Sequence, residues 1–326
     1  MIRRFLTLTL AVSLLAAPSA LASIEGAWTA VQQQDKVDSI HLNIARARNQ
    51  MGITMQLSRL PGLSAADVHS TVAKPVEFQL RSDAGIVTFD GTFRNGKGSG
   101  HFVFDSNPGF VRELRALGVS LDDQKGRTRT EEEALFPLAI HDVSVAFIRS
   151  MQAEGYRTTL DKYVAMRIFR VTPEFIREMR SLGFTTLSAD DLVASRIHKV
   201  TPEFVREMRA AGWDLTLSEL QSSSIHGATP AFAEQMRGAG YPGLRHSDLV
   251  AFRIHRVTPD FIRELAELGY RDLPASKLLS MKIHRVTPQY IRELRDLGYS
   301  NVPVDKLVSM RIHKIDPKLV RKLQDQ

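Results

Sequence analysis

The 326-residue sequence contains no cysteine. That excludes disulfides, thiolate metal sites, a cysteine nucleophile and a lipid-modified N-terminal cysteine. An exported chain without disulfides is held by its core alone, which is feasible at this length. Enzyme signatures are missing too. There is no His-Glu-x-x-His pair, no phosphate loop ending in Gly-Lys-Ser/Thr and no Gly-x-Ser-x-Gly elbow. We therefore expect no catalytic residues, no cofactor and no metal. Charge of one sign is not strongly in excess, at +7 overall. Long apolar runs are absent apart from one near the start.

That run reads as a secretory signal over residues 1–22. Arg3 and Arg4 form a positive n-region, Phe5–Ala17 an apolar h-region of 13 residues broken by Pro18, and Ala20-Leu21-Ala22 a small-x-small cleavage site. A 13-residue helix at 1.5 Å per residue falls short of a bilayer core about 30 Å thick. The mature chain is expected to start at Ser23, to lie in the periplasm or outside the cell, and to have no membrane span. Losing Arg3 and Arg4 leaves 41 basic against 36 acidic residues, a charge of +5. An excess that small gives no reason to expect a nucleic-acid partner.

Residues 23–106 read as a small antiparallel β-meander of about five strands. Ile40, Leu42 and Ile44 alternate with polar residues, as do Val76, Phe78 and Leu80. Asp83-Ala84-Gly85 turns the chain. Val87 and Phe89 continue, with Gly91 expected at a bulge or bend. Asn95-Gly96 is a tight hairpin signal ahead of Phe102 and Phe104. His41 and His101 fall in or beside strands and read as solvated or satisfied residues. A small-ligand pocket in this domain is one possible function of it.

Beyond residue 106 the sequence repeats. Thr-Pro-x-Phe occurs at Thr172, Thr201, Thr229 and Thr258, recurs as Thr287-Pro288-Gln289-Tyr290 and loosely as Asp316-Pro317-Lys318-Leu319, with spacings of 29, 28, 29, 29 and 29. Ser144–Phe147 is a degenerate copy 28 residues earlier, and Asn107–Phe110 another, 37 residues before that. Thr caps a helix, Pro suits its first turn and Gly183, Gly212, Gly240, Gly269 and Gly298 stop it. A second, shorter helix is expected next, capped by Ser188 with Asp191, its apolar face formed by Leu192, Val193 and Ile197. It ends in a basic-Ile-His-basic signature. The expected fold is α+β, the β-meander followed by an α-solenoid of two-helix repeats. Residues 107–143 form a transitional helix and linker, residues 144–326 the array. Polar residues from Lys318 to Gln326 suit an end cap.

Four columns of side chains are candidate surfaces. His141, His198, His226, His255, His284 and His313 share one repeat position, broken by Phe169. Adjacent repeats packed about 10 Å apart would not let these imidazoles share an ion; capping of helix C-termini accounts for them. Arg167, Arg196, Arg253, Lys282 and Arg311 precede the Ile, and Arg170, Lys199, Arg256, Arg285 and Lys314 follow the His. Arg177, Arg206, Arg263 and Arg292 lie on the first helix, each followed by Glu. Such columns can track a polyanion, although Ser224, Gly227 and Glu234 interrupt them.

The motif Thr-Pro-Glu-Phe-Ile-Arg-Glu-Met-Arg-x-Leu-Gly with Asp-Leu-Val-x-x-Arg-Ile-His, as it stands from Thr172 to His198, resembles helical repeats of bacterial exported proteins. Similar repeats follow the membrane zinc-peptidase domain in some relatives of the beta-lactam-sensing regulatory proteins. The resemblance covers most of the mature chain. Because the peptidase motif is absent here, it implies no catalytic residue. It implies a stand-alone sensor or interaction region outside the inner membrane. A repeat array with no chemistry on it is itself expected to bind a protein or peptide of the cell envelope.

Overall fold

Alternating apolar residues build a six-stranded antiparallel sheet in this computed structural model. The structure describes residues 23–33, 36–46, 49–122 and 130–324; the expected signal peptide and the end-cap residues Asp325 and Gln326 lie outside them. The strands are β1 (Ile24–Gln33), β2 (Lys36–Arg46), β3 (Asn49–Gln56), β4 (Lys74–Ser82), β5 (Gly85–Arg94) and β6 (Lys97–Ser106), in the order β3-β2-β1-β6-β5-β4. The sheet is thus two three-stranded meanders joined by pairing of β1 with β6, six strands in all against about five expected. Helix α1 (Ala65–Val68) lies between β3 and β4. Asn95 and Gly96 turn the β5–β6 hairpin with φ of 50° and 74°, as the Asn-Gly signal requires.

Gly91 is not a bulge, because pairing runs through it in register on both sides. The reason for glycine is space: a Cβ there would lie 2.2 Å from the Ser99 carbonyl and 2.7 Å from Trp28. Trp28 is 1% exposed and its indole N–H donates to the Asp90 carbonyl at 3.0 Å. Phe78 and Phe93 surround it, with ring centroids 5.3 and 5.5 Å away.

The described residues divide into two compact units, one ending at Arg167 and the other starting at Ile168. After the sheet come α2 (Pro108–Ala116), α3 (Glu131–His141), α4 (Val145–Ala153) and α5 (Leu160–Ile168). Helix α3 begins with a Thr130/Glu133 capping box and packs on the sheet. Its Phe136 stacks on Phe102 at 5.5 Å. Helices α2 and α4 touch, so the Asn107 copy already behaves as a repeat.

The second unit carries α6 (Pro173–Ser181), α7 (Ala189–Ile197), α8 (Pro202–Ala210), α9 (Leu217–His226), α10 (Pro230–Gly238), α11 (His246–His255), α12 (Pro259–Glu267), α13 (Ala275–Ile283), α14 (Pro288–Asp296), α15 (Val304–Ile312) and α16 (Pro317–Gln324). In α6, α8, α10, α12 and α14 the Thr hydroxyl accepts the third helical N–H at 3.1–3.3 Å, with Pro in the first turn. The second helix of each repeat is not shorter: α6 and α7 both span nine residues. Helices of like kind stack in two layers. Helix α7 touches α9, α9 touches α11, α11 touches α13 and α13 touches α15; α12 touches α10 and α14 in the other layer. A single apolar cluster runs from Ala228 to Val320 between them. Among the described residues no single helix is long and apolar enough to cross a membrane.

Candidate functional site: an isoleucine ladder on the second helices

The second helix of each repeat buries two columns. Leu192, Leu220, Leu249, Leu278 and Leu307 are 0–1% exposed, and Ser195, Ser223, Phe252, Met281 and Met310, three residues on, are also buried. The Ile of the Ile-His signature was expected on this apolar face and is not there. Ile168, Ile197, Ile225, Ile254, Ile283 and Ile312 are 44–54% exposed. The helical spacing contains the reason. Ile197 is five residues after Leu192, about 140° round the helix at 100° per residue, so it leaves the buried stripe. Six exposed isoleucines at one repeat position form a ladder along the ends of the second helices. None was expected on the surface from the sequence.

The two basic columns beside the ladder differ. Arg196, Arg253, Lys282 and Arg311 lie over the anchor rings of Phe175, Phe232, Phe261 and Tyr290 at 4.2–5.1 Å. Arg167 lies over Phe147 in the same way at 5.4 Å. Arg196 and Arg253 also donate, at 3.1 Å, to the carbonyls of Phe169 and His226 at the end of the preceding second helix. In the copy where the basic residue is Ser224, its hydroxyl takes over this bond and donates to the His198 carbonyl. Arg209 and Arg295 do the same in the other layer, donating to Leu182 and Leu268 carbonyls at 2.7 and 2.8 Å. These cations are clasps between repeats: each stacks on a ring, caps an open helix end, or both. Burial lowers the Lys282 pKa, opposed by the Glu264 charge and reinforced less strongly by that of Arg256.

Replacing Arg253 with Leu keeps the apolar contact with Phe232 and removes the charge and the donor. The array is expected to lose about 1–2 kcal/mol, read by urea unfolding, and Arg253→Lys less.

The second column faces solvent. Arg170, Lys199, Arg256, Arg285 and Lys314 are exposed, and no ion pair joins any of them among the described residues. The acids of the neighbouring first helices are taken: Glu174 pairs with Arg177 at 2.8 Å, Glu203 with Arg206 at 3.2 Å, and Asp260 with Arg263. Arg292 reaches Glu264 on the preceding repeat at 3.2 Å. The five cations also have φ of 54–57°, the left-handed region that glycine fills in the equivalent place at Gly227. The backbone is fixed there because the next residue is driven inward. Val200, Val257 and Val286 are 0% exposed, and their N–H groups reach back to the carbonyls of Ser195, Phe252 and Met281 at 2.8 Å.

The histidines sit between ladder and cations. Among the described residues no side-chain hydrogen bond is made by His198, His226, His255, His284 or His313, so capping falls to the arginines of the next repeat and not to the imidazoles as expected. No group of three His, Asp or Glu side chains converges as a metal site requires among the described residues. His41 bonds Thr54 at 3.2 Å, and His101 lies on a different strand, β6.

Two features escaped sequence reading altogether. His246 Nε2 lies 2.5 Å from the hydroxyl of fully buried Ser223, and burial lowers the His246 pKa, opposed by Glu219. Burial lowers that of His141 as well. A His whose folded pKa is depressed disfavours the folded state once the unfolded chain begins to protonate. Stability is therefore complete above the ordinary value of 6.5 and declines as pH falls from there to the depressed folded value. The melting temperature of the array is expected to be lower at pH 5.5 than at pH 7.5, and His246→Gln to narrow the difference. A cleft of about 340 Å³ near Trp213 and Tyr241 is the second feature. Its charged lining is already paired, Arg237 with Glu234, and the Tyr241 hydroxyl donates to Leu273 at 2.7 Å.

Fold and ladder define the chain as an α+β protein, a six-stranded antiparallel sheet followed by a helical repeat array with one exposed apolar ridge. No protein-family model, no curated protein and no solved structure matches it.

Proposed function

We propose that this chain is a non-enzymatic, exported interaction protein whose repeat array binds a protein or peptide of the cell envelope. The observation carrying the reading is the isoleucine ladder. Each rung leaves about half of an Ile in water, and covering it contributes about 1 kcal/mol, about 6 kcal/mol over six rungs before the losses of association. A folded array that needed these side chains only for itself would bury them, as it buries the Leu column. Resemblance of the repeats to those behind sensor-type peptidase domains fits a sensory use of the same surface.

A second reading, binding of an envelope polyanion, is favoured by the exposed row Arg170, Lys199, Arg256, Arg285 and Lys314. Salt separates the two, since polyanion affinity falls steeply with ionic strength and an apolar contact does not. The direct test is affinity capture from envelope extracts with the wild-type chain and with Ile225→Ser/Ile254→Ser/Ile283→Ser. The wild type is expected to enrich a protein that the triple variant does not. Identical enrichment by both chains would show that the ladder is not the binding surface.

A further inference from the structure

We infer that the ladder is the seat of an acidic amphipathic helix from another protein, one presenting an apolar residue at every seventh position. This rests on the ladder being a protein-binding surface, as proposed above. Three observations narrow the occupant.

The first is charge. Five of the six rungs place a cation beside the Ile, Gly227 standing there in the Ile225 copy, and no acid among the described residues pairs with these cations; Glu174, Glu203 and Asp260 nearby are held by their own arginines. A second copy of this chain would set cations against cations. The two longer stretches of this chain outside the described residues do not fit either: 123–129 carries Lys125, Arg127 and Arg129 against Asp123 alone, and residues 1–22 contain no acid; the others are two residues each, too short for a helix. The occupant is therefore anionic and foreign.

The second is backbone conformation. Lys199, Arg256, Arg285 and their equivalents hold a left-handed φ that glycine adopts without strain, and the same array uses glycine at every first-helix end from Gly155 to Gly298. Cations are kept where glycine would be the more stable choice, and strain of this kind gathers at functional surfaces.

The third is the unit that ends at Arg167. Ile140-His141-Asp142 stands at the ladder position of α3, with Asp142 at φ 57°. There Ile140 is fully buried in a helix packed on the sheet, and the left-handed residue is an acid paired with Arg167 at 2.7 Å. Where protein closes this position, the exposed cation is absent. A packed protein surface, not a lipid surface, is thus the covering this position accepts.

Spacing selects a helix. Stacked helices lie about 8–10 Å apart. An α-helix rising 1.5 Å per residue advances about 10.5 Å in seven residues and returns the same face. An extended strand covers the distance in about three residues, which turns its side chains away at alternate rungs.

The test is fluorescence anisotropy with a labelled synthetic helix about four heptads long, Leu at every seventh position flanked by Glu. Binding to the full chain is expected with a Kd on the order of 10 µM at low salt. Ile225→Ser/Ile254→Ser/Ile283→Ser is expected to weaken it at least about tenfold. Lys199→Gly/Arg256→Gly/Arg285→Gly is expected to weaken it about tenfold while raising the melting temperature, so lost binding cannot be lost folding. The inference is overturned if either variant binds like wild type. It is equally overturned if a peptide with Leu at every second position, or with Lys for Glu, binds as well as the heptad peptide. Ile-dependent sedimentation with phosphatidylglycerol vesicles at comparable affinity would assign the ladder to a bilayer instead. Should the heptad peptide fail while the capture experiment still enriches an Ile-dependent protein, the helix alone is refuted; failure of both removes the binding role itself.

Discussion

Replacing Trp28 with Ala is expected to destabilise the first unit by about 3–5 kcal/mol, the largest effect of any single substitution considered. The indole is 1% exposed and is packed against Phe78, Phe89 and Phe93 with centroids 5.3–6.3 Å away. Removing it leaves a cavity between rings that cannot close in, because Gly91 and Gly100 already press the backbone of β5 against β6. A Cβ at Gly100 would lie 1.8 Å from the Asp90 carbonyl. That carbonyl also loses its indole donor. Against a typical domain stability of about 5–15 kcal/mol, such a loss is large. The chain has two tryptophans, Trp28 and Trp213, one in each unit. In Trp28→Ala, Trp213 fluorescence reports on the second unit alone while far-UV circular dichroism follows both units, sheet included. The expected result is early loss of sheet signal with the Trp213 transition unmoved, and a smaller loss for Trp28→Phe. A cost below about 1 kcal/mol would mean that the aromatic cluster repacks freely.

The second large effect is a gain. Lys199→Gly/Arg256→Gly/Arg285→Gly relieves three side chains held at φ of 55–57°. A left-handed residue with a Cβ costs about 1–2 kcal/mol, and the extra freedom of glycine in the unfolded chain returns about 0.4–1. The net gain is about 0.5–1 kcal/mol per site and about 2 kcal/mol for three, or about 4–8 °C in melting temperature for a unit of this size. Trp213 fluorescence in a thermal scan measures it. The matched Ala triple variant removes the same charges and keeps the Cβ, and is expected to show no gain. If Ala and Gly variants melt together, the strain is not where the dihedral angles place it.

Much of this architecture is written locally. Thr172 with Pro173 starts a helix and Gly183 stops it because capping involves atoms within a few residues of one another; the structure reproduces both ends. Alternation along Ile40, Leu42 and Ile44 marked a strand for the same reason. Strand order was not legible: nothing within β1 or β6 says that they pair across more than 60 residues. The arginine column shows the limit most clearly. Arg253 reads as a surface cation until its acceptor, the His226 carbonyl 27 residues earlier, is seen above it.

The repeat itself, with its helix starts and stops, was determined by the sequence alone, because a 29-residue period and capping chemistry need no partner. Which residues the repeats hide was decided only by the tertiary structure. Arg196, Ile197, His198 and Lys199 are consecutive, yet stacking turns the first into a clasp over Phe175 and leaves the Ile and the Lys in solvent. A side chain's exposure depends on what the neighbouring copies place against it, and that is a property of the stack, not of the repeat.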